Sequence, residues 1–389
     1  MGFYSMQAKP SLCIIAHFAY GAMLGGRTGH IGGVEWQTSL TAKWFAARGY
    51  PVSLIVWDEG GPREEAIDGV RVIKMCRFTE GVRGLRFFHP RWTSLNRALR
   101  RANAEVYYHN CAEHVTGQIA LWCRLHRRSF VFSSANDTDC DRSLPELKTT
   151  YERVFCRYGL RHAHRIIVQT EHQRERLLEG SGLDSECIPM PCPAPANDAW
   201  SRPEVPARRV LWAARIASQK RPDRLLDLAR ECPDLQFELV GPAYEGDYSR
   251  KLLDQAKTLP NVTVQGPIPR DRMPSFYQRA GCLCCTSDYE GFPNTFLEAW
   301  SHGLPIVTTV DPDGVVGKHR LGLVAHSVPE LGAALYRLLN SPQDYLAMSR
   351  NAREYFTRNH SAEVVLARFE RVFLAAATEA RSAAVGARS

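Results

Sequence analysis

The chain has 389 residues, of which 44% are hydrophobic and 23% charged, with a formal net charge of +8. This composition is typical of a soluble globular protein and excludes a disordered or fibrous one, and the length suits two α/β domains better than one. No window reaches the roughly 18 uninterrupted apolar residues that a membrane-spanning helix needs. The first nine residues lack the basic-then-apolar pattern of a secretory signal, so we expect a cytoplasmic protein.

The first half alternates short apolar strands with helical segments, which predicts a parallel sheet covered on both faces. The first strand, residues 11–18, leads through a glycine-rich loop into a helix over residues 34–48, which Gly49 closes. Further strands are predicted at residues 52–57, 70–76, 106–109, 130–134 and 166–169.

The positive charge lies mainly in this first half. Between Gly81 and Ala104 there are six arginines and no carboxylate, with three aromatic residues among them. The arginines are Arg83, Arg86, Arg91, Arg97, Arg100 and Arg101, and the aromatics are Phe87, Phe88 and Trp92. Basic residues beside aromatics suit an anionic surface of lipid headgroups or nucleic acid, while a solvated helix face is the competing interpretation. This stretch is a candidate surface for peripheral attachment to the inner face of the membrane. We expect no nucleic-acid partner, because no nucleic-acid-reading motif accompanies the charge.

A proline-rich stretch, residues 188–206, marks a domain boundary because its six prolines stiffen a linker. The strand–helix pattern then restarts, with strands at 210–213, 236–240 and 306–308 and a helix at 223–231. We predict two Rossmann-like domains, residues 1–190 and 191–355, and a C-terminal helix in residues 356–389 that packs back on the first domain. Two doubly wound sheets of this kind place a ligand at the cleft between domains.

Twelve cysteines are scattered along the chain. Cys13, Cys282, Cys284 and Cys285 stand in apolar, strand-like runs. A C-x-C-C run without a second Cys/His pair at matching spacing does not predict a zinc site. We therefore expect buried structural thiols and no metal.

The most specific segment of the chain is S-D-Y-E-G-F-P-N-T-F-L-E, residues 287–298. Glu290 ends the loop after a buried strand, and Gly291 lets the backbone approach a ligand closely. Asn294 is predicted to cap the next helix, whose free amides would then form a phosphate site. Glu298 lies one turn into that helix and can accept hydrogen bonds from a diol, although two ordinary surface carboxylates remain the alternative.

Glu290 and Glu298, separated by seven residues, resemble the E-x7-E signature of family-four glycosyltransferases. The resemblance implies the GT-B fold and a retaining enzyme that moves a sugar from a UDP- or GDP-sugar to an acceptor hydroxyl, without a metal or other cofactor. Glu290 would meet the sugar hydroxyls and Glu298 the ribose. The donor would also be held by Gly291, Phe292, Pro293, Asn294 and Thr295.

Two cations and two loops upstream fit the same resemblance. Arg215 and Lys220, in A-A-R-I-A-S-Q-K-R-P, match the residues that neutralise the donor diphosphate in that family. Gly241 and Ile268 end further strands and match its loops around the nucleobase. Residues 311–314 depart from the family's glycine-rich turn, which leaves the sugar end of the pocket undefined.

In the first domain, the stretch G-H-I-G-G-V-E, residues 29–35, resembles the family's G-G-x-E loop. The amides of Gly32 and Gly33 would reach donor phosphates or the acceptor. Asn136 stands where the family has a histidine; it can hydrogen-bond a sugar hydroxyl but cannot act as a base. His109 and His114 could face the cleft, although isolated histidines are more often structural.

Asp137-Thr138-Asp139 mimics the D-x-D metal motif of the other large glycosyltransferase fold. Aspartates in such a loop usually cap or turn the chain, so we expect no metal there.

The resemblance implies front-face transfer, in which the leaving phosphate takes the acceptor's proton while Arg215 and Lys220 stabilise its charge and Glu290 and Asn136 orient the sugar. The partners would be a nucleotide-sugar donor and a glycan or lipid-linked acceptor of cell-surface polysaccharide biosynthesis. A GT-B-shaped nucleotide-sugar epimerase, a catalytically silent nucleotide-sugar-binding scaffold and a nucleic-acid-binding protein are the alternatives.

Overall fold

The computed structural model describes residues 8–26, 32–82, 85–195 and 202–386. The chain divides into two compact units. The N-terminal unit contains Met1–Met190 and Leu366–Ser389, and the C-terminal unit contains Pro191–Val365.

The N-terminal unit is built on one mainly parallel sheet. Its strands are β1 (Leu12–Ile15), β2 (Val52–Val56), β3 (Glu64–Ile67), β4 (Val70–Lys74), β5 (Val106–Asn110), β6 (Ser129–Ser133), β7 (Arg165–Val168) and β8 (Glu186–Cys187). They are ordered β3-β4-β2-β1-β5-β6-β7-β8, and only the β3–β4 pair is antiparallel among the described strands. The chain order reverses between β1 and β5, so the topological switch point of a doubly wound sheet lies there.

The predicted strands of this sheet are confirmed within one or two residues, except that the first one ends at Ile15 and not at Phe18. The edge strand β3 was not predicted, because its sequence E-E-A-I is polar and half-exposed. The signal for it was Asp68-Gly69, where both residues have positive φ, as a tight hairpin turn requires.

Helices cover this sheet: α1 (Tyr20–Met23), α2 (Gly33–Ala47), α3 (Thr93–Ala102), α4 (His114–His126), α5 (Thr150–Arg161) and α6 (Glu171–Ser181). Helix α2 confirms the prediction for residues 34–48, and Gly49 follows it with φ +76°.

The C-terminal unit carries a second sheet, parallel throughout its described strands. These are β9 (Arg209–Ala213), β10 (Gln236–Val240), β11 (Val262–Gly266), β12 (Cys282–Cys285), β13 (Ile306–Thr308) and β14 (Gly322–Val324), in the order β11-β10-β9-β12-β13-β14. The helices are α7 (Pro222–Glu231), α8 (Gly246–Ala256), α9 (Met273–Arg279), α10 (Asn294–Ser301), α11 (Val315–Lys318), α12 (Val328–Asn340) and α13 (Pro342–Asn359). Its switch point lies between β9 and β12.

The last helix, α14 (Ala362–Gly386), packs against the sheet of the N-terminal unit over most of its length. The Phe373 ring lies 5.2 Å from that of Phe45 and 5.4 Å from that of Tyr108, centroid to centroid. Tyr50 donates a hydrogen bond to Glu370 at 2.6 Å. The helix predicted in residues 356–389 therefore begins at Ala362, after α13 has ended.

The cysteines form no disulfide, and nine of the twelve are buried. The predicted burial of Cys13, Cys282 and Cys284 is confirmed, whereas Cys285 is only half-buried. In the described part of the chain, no helix combines the length and apolarity needed to cross a membrane.

Candidate active site

The switch point of the C-terminal unit brings together the two motifs that the sequence singled out. Strands β9 and β12 are neighbours, so the loop 214–221 and the loop 286–293 leave the same edge of the sheet side by side. Ligands of open α/β sheets bind outside the carboxyl ends of the strands at this point.

Backbone and side-chain hydrogen bonds join the two loops. The Thr286 hydroxyl donates to the Lys220 carbonyl at 2.8 Å, and the Asp288 amide donates to the Gln219 carbonyl at 3.0 Å. The Gln219 side-chain amide donates to the Tyr289 carbonyl at 3.0 Å. The loop 214–221, which carries Lys220, and the loop 286–293, which carries Glu290, therefore form one ordered surface.

Lys220 and Glu290, the predicted cation and the predicted sugar ligand, form an ion pair with a Nζ–Oε1 distance of 2.5 Å. Ser287 donates a second hydrogen bond to the same carboxylate oxygen at 2.7 Å. The Lys220 and Glu290 side chains are only 16% and 12% exposed. A phosphate that displaced Glu290 from Lys220 would free the carboxylate to accept hydrogen bonds from a sugar.

Arg215 is exposed, and its guanidinium carbon lies 4.4 Å from the centroid of the Tyr244 ring. Among the described side chains no carboxylate pairs with it. The loop that carries it is fixed by Glu245, whose carboxylate accepts hydrogen bonds from the Ser218 amide at 3.0 Å and hydroxyl at 3.1 Å. Arg215 thus presents an accessible positive charge on a fixed loop.

Gly241 has a steric reason to be glycine. Its φ is +145°, and a Cβ atom there would lie 1.7 Å from the Ala214 carbonyl oxygen. The close approach lets the Ala214 amide donate to the Val240 carbonyl at 3.1 Å and the Ile216 amide to the Pro242 carbonyl at 2.9 Å. Gly241 thereby positions the loop that carries Arg215, while its contact with the donor stays a prediction.

Ile268 follows β11 and is half-buried, just before a short 3₁₀ turn at Arg270–Arg272. Its predicted contact with the nucleobase stays a prediction.

Helix α10 corrects the predicted cap. Pro293 occupies the N-cap position and Asn294 is the first helical residue, because the Phe296 amide donates to the Pro293 carbonyl at 3.0 Å. Asn294 and Thr295 therefore lie in the first turn, where amides are left without helical acceptors. A helix start at this point is the feature on which the predicted phosphate site depends.

Phe292 and Gly291, just before α10, differ in whether their side chains or only their backbone could contact a ligand. The Phe292 ring packs 5.2 Å from the His360 ring and 6.1 Å from the Trp300 ring, so it contributes to the packing of the C-terminal unit. Gly291 does not have a positive φ, so its predicted role depends only on its lack of a side chain.

Glu298 is held on α10 by two donors that the sequence reading missed. Its side chain is 16% exposed and accepts a hydrogen bond from the Tyr277 hydroxyl at 2.6 Å and another from Arg270. Burial, reinforced by the Glu298 charge, raises the pKa of Tyr277 well above its ordinary value, so the phenol stays protonated. A carboxylate has about four acceptor positions, which leaves capacity for a ribose diol.

Asn136 caps a 3₁₀ turn at Asp137–Cys140. Its side-chain oxygen accepts hydrogen bonds from the Asp139 amide at 3.0 Å and the Thr138 hydroxyl at 2.5 Å. Only the amide nitrogen is left among the described contacts for the predicted interaction with a sugar, so Asn136 could donate to a hydroxyl but not accept from one.

The D-x-D triplet is used for folding, as expected. Asp137 accepts from the Gln173 side chain at 3.0 Å, and Asp139 accepts from the Ala135 amide at 2.7 Å. Asp139 is 5% exposed, and its burial raises its pKa to about 6 despite these backbone donors. The two carboxylates therefore stabilise the loop that contains Asn136.

The glycine-rich loop of the N-terminal unit is described from residue 32 onward, so Gly29, His30 and Ile31 lie outside the described residues. Gly32 is the N-cap of α2, and Gly33 is its first residue. Their predicted contacts with phosphate or acceptor stay predictions.

His109 and His114 lie around the end of β5. His109 is 2% exposed, with Nδ1 3.0 Å from the Ile15 carbonyl oxygen, and burial lowers its pKa. The His114 ring lies 5.5 Å from that of Phe87, and burial lowers its pKa as well. The structure also brings His109 together with Cys111 and Glu113, with one potential ligand atom from each within 4.8 Å of the others. The sequence analysis did not predict this cluster, although H-N-C-A-E-H begins at the last residue of a predicted strand.

The arginine-rich stretch is only partly a free surface. Arg83 lies outside the described residues. Arg91 donates to the Phe78 carbonyl at 2.9 Å and lies over its ring, and Arg101 lies 3.5 Å from Glu64. Phe87 and Trp92 pack with each other and with Phe155, and Phe88 lies against both of them but is still 60% exposed.

Comparisons with known proteins agree with this architecture. Residues 32–193 match the model of a glycosyl transferase 4-like domain, and residues 200–355 match that of glycosyl transferases group 1. The solved structure of Anabaena HepE in complex with UDP and glucose superposes with a TM-score of 0.73 at 16% identity, over 94% of this chain and 99% of that one. This likeness confirms the predicted two-domain GT-B fold.

Curated relatives match shorter stretches. An uncharacterized glycosyltransferase of Haemophilus influenzae is 31% identical over 156 residues, which are 38% of this chain and 43% of the relative. The alpha-D-kanosaminyltransferase of Streptomyces kanamyceticus is 26% identical over 251 residues, 62% of this chain and 59% of the relative. The chain thus spans less than two thirds of the length of these relatives. With both of its domains matched and its fold shared, the chain belongs to the family-four-type glycosyltransferases, a family of transferase enzymes.

Proposed function

We propose that the protein transfers a sugar, with retention, from a UDP- or GDP-sugar to a hydroxyl of a glycan or lipid-linked glycan in cell-surface polysaccharide biosynthesis. The observation that carries the proposal is the Lys220–Glu290 ion pair at the switch point of the C-terminal unit. A similar fold in a protein crystallised with UDP-glucose and the glycosyltransferase names of the relatives support a nucleotide-sugar donor.

The proposed chemistry uses the charges of the two loops. Arg215 and Lys220 would neutralise the diphosphate as its oxygen leaves the anomeric carbon, and the protein supplies this stabilisation without a metal. Lys220 would exchange Glu290 for phosphate, and Glu290 would then accept hydrogen bonds from the sugar. The acceptor oxygen would bond to the same face of the anomeric carbon and pass its proton to the departing phosphate.

A thermal-shift titration tests the donor site. UDP, GDP, ADP and their sugar conjugates would be added with and without Mg²⁺, because a ligand that binds the folded state raises the melting temperature. We expect one nucleotide to give a shift that needs no Mg²⁺ and is reduced in Glu298→Ala. The absence of a shift with every nucleotide would contradict the proposal and favour a catalytically silent scaffold.

Product analysis then separates the enzymatic alternatives. A transferase consumes the donor much faster when an acceptor is present, and the anomeric configuration of its product reports retention. An epimerase would convert the donor with no acceptor, and a silent scaffold would leave it unchanged.

The lipid-linked acceptor is supported by an exposed apolar surface next to the arginines. Val82, Leu85 and Phe88 are 69%, 64% and 60% exposed, and Arg97 and Arg100 are exposed on the following helix. Apolar side chains beside basic ones suit an anionic membrane surface. We propose peripheral attachment through this surface.

Vesicle co-sedimentation tests the attachment. The wild-type protein is expected to bind vesicles that contain anionic lipid more strongly than zwitterionic vesicles, and Leu85→Ser with Phe88→Ser is expected to weaken that binding. Leu125→Ser is the matched control, since Leu125 is 72% exposed outside this surface. Equal binding by the variant and wild type would contradict the proposal.

A further inference from the structure

The switch point of the N-terminal unit collects side chains that the proposed transfer chemistry does not use. His17 follows β1, His109 lies in β5, and Cys111 and Glu113 follow β5. Strands β1 and β5 are paired neighbours where the strand order reverses. This is the place where open α/β sheets bind ligands.

Three of these side chains have the chemistry and spacing of metal ligands. A ring nitrogen of His109, Sγ of Cys111 and a carboxylate oxygen of Glu113 all lie within 4.8 Å of one another. Imidazole, thiolate and carboxylate are the ligands that zinc uses in proteins, and three protein ligands leave a fourth position for water. Closing the atoms around an ion requires side-chain movements of about 1 Å, because zinc–ligand bonds are about 2.0–2.3 Å long.

His109 is arranged as metal-binding histidines are. Its Nδ1 faces the Ile15 carbonyl oxygen at 3.0 Å, and since a carbonyl can only accept, Nδ1 carries the proton. Nε2 therefore presents a lone pair, and it is buried without a hydrogen-bond partner in the described structure. Metal-ligating histidines almost always donate their other ring N–H to such an oxygen.

The local charge favours a cation. The Glu113 carboxylate is the acidic group of the cluster. Its nearest described charge partner is His17, with Nδ1 3.6 Å away. Glu35 and Asp139 add further negative charge around the Cys111 thiol.

Cys111 itself is held in a costly conformation. Its φ of +87° lies in the left-handed region, which favours glycine over any residue with a side chain. Such strain concentrates at functional sites. The Glu113 side chain is 36% exposed, so an ion can reach the cluster from solvent.

We propose that Nε2 of His109, Sγ of Cys111 and the Glu113 carboxylate bind one zinc-like divalent transition-metal ion per chain. Binding forms a sulfur–metal bond as the Cys111 thiol releases its proton to solvent, with no change of oxidation state. Water fills the fourth position. The site lies in the N-terminal unit and does not depend on the donor chemistry proposed for the C-terminal unit.

Cobalt titration of the chelator-treated full chain tests the site. Co²⁺ bound tetrahedrally by a thiolate gives visible d–d bands and a thiolate-to-cobalt charge-transfer band. We expect one equivalent of Co²⁺, displaced by Zn²⁺, with about one proton released for each ion. Cys111→Ser is expected to abolish the charge-transfer band, and Glu113→Gln to weaken binding more than about 10-fold.

Two further variants keep the test decisive. Cys111→Gly removes the ligand and also relieves the positive φ, so it is expected to fold at least as well as the wild type and to lose the band. Cys187→Ser replaces another half-buried cysteine of the same unit and is expected to keep it. A wild-type protein without the charge-transfer band, or with a band that survives in Cys111→Gly, would overturn the proposal.

Discussion

The Lys220–Glu290 ion pair can be measured by a double-mutant cycle on the free energy of unfolding. Lys220→Met removes the ammonium and keeps the aliphatic stem, and Glu290→Gln removes the negative charge and keeps the shape. The two single variants and the double variant together give the coupling energy of the pair.

The structure sets the expected size of the coupling. The Nζ–Oε1 distance is 2.5 Å, and the side chains are 16% and 12% exposed. A hydrogen bond to a charged group contributes about 1.5–3 kcal/mol, and solvent screens little of it at this burial. Each single variant leaves a mostly buried charge unpaired, so we expect a loss of about 3 kcal/mol and a fall in Tm of about 6–12 °C. The double variant is expected to be about 2 kcal/mol more stable than the sum of the single losses predicts.

Urea unfolding followed by tryptophan fluorescence is the assay, because Trp212 and Trp300 are fully buried in the C-terminal unit. The Arg250–Asp247 pair on α8 is the control, since its side chains are 70% and 82% exposed and it should couple by less than about 0.5 kcal/mol. UDP is expected to stabilise the wild type more than Lys220→Met. Couplings as small as the control's would refute the inference that Lys220 and Glu290 form one functional unit.

Three more predictions concern the framework around the sites. Gly241→Ala is expected to lose at least about 2 kcal/mol and to weaken nucleotide binding, since its Cβ would lie 1.7 Å from the Ala214 oxygen, while Gly246→Ala, with nothing within 4 Å, should change little. The pKa of Asp139 is raised from 3.8 to about 6, so the folded state binds the proton more tightly and stability falls as pH rises from about 4 to 7. Asp139→Asn should remove about 3 kcal/mol of that fall in the free energy of unfolding, measured by urea unfolding at about pH 4 and about pH 7. Parallel pH profiles of the variant and the wild type would contradict the assignment of the raised pKa to Asp139. Asn136→Ala should cost about 1 kcal/mol in the same assay by removing the cap, whereas Asn136→Ser should keep most of it.

The sequence by itself determined the two-domain α/β plan. The strand run at residues 210–213 is apolar because both faces of a parallel sheet are covered, so it can be recognised without tertiary information. The spacing of Glu290 and Glu298 and the position of Lys220 after a strand are also local features, and they were enough to indicate the family.

Only the tertiary structure decided which side chains meet. Lys220 pairs with Glu290, seventy positions along the chain, because the sheet places β9 beside β12, and strand order is not encoded in any local period. The partners of Glu298, Tyr277 in helix α9 and Arg270 in the turn before it, come from another part of the chain for the same reason. At the other switch point, the juxtaposition of His109 with Cys111 and Glu113 depends on how the chain turns after β5. Local patterns report burial and helix starts, whereas partner choice follows from packing between elements far apart in sequence.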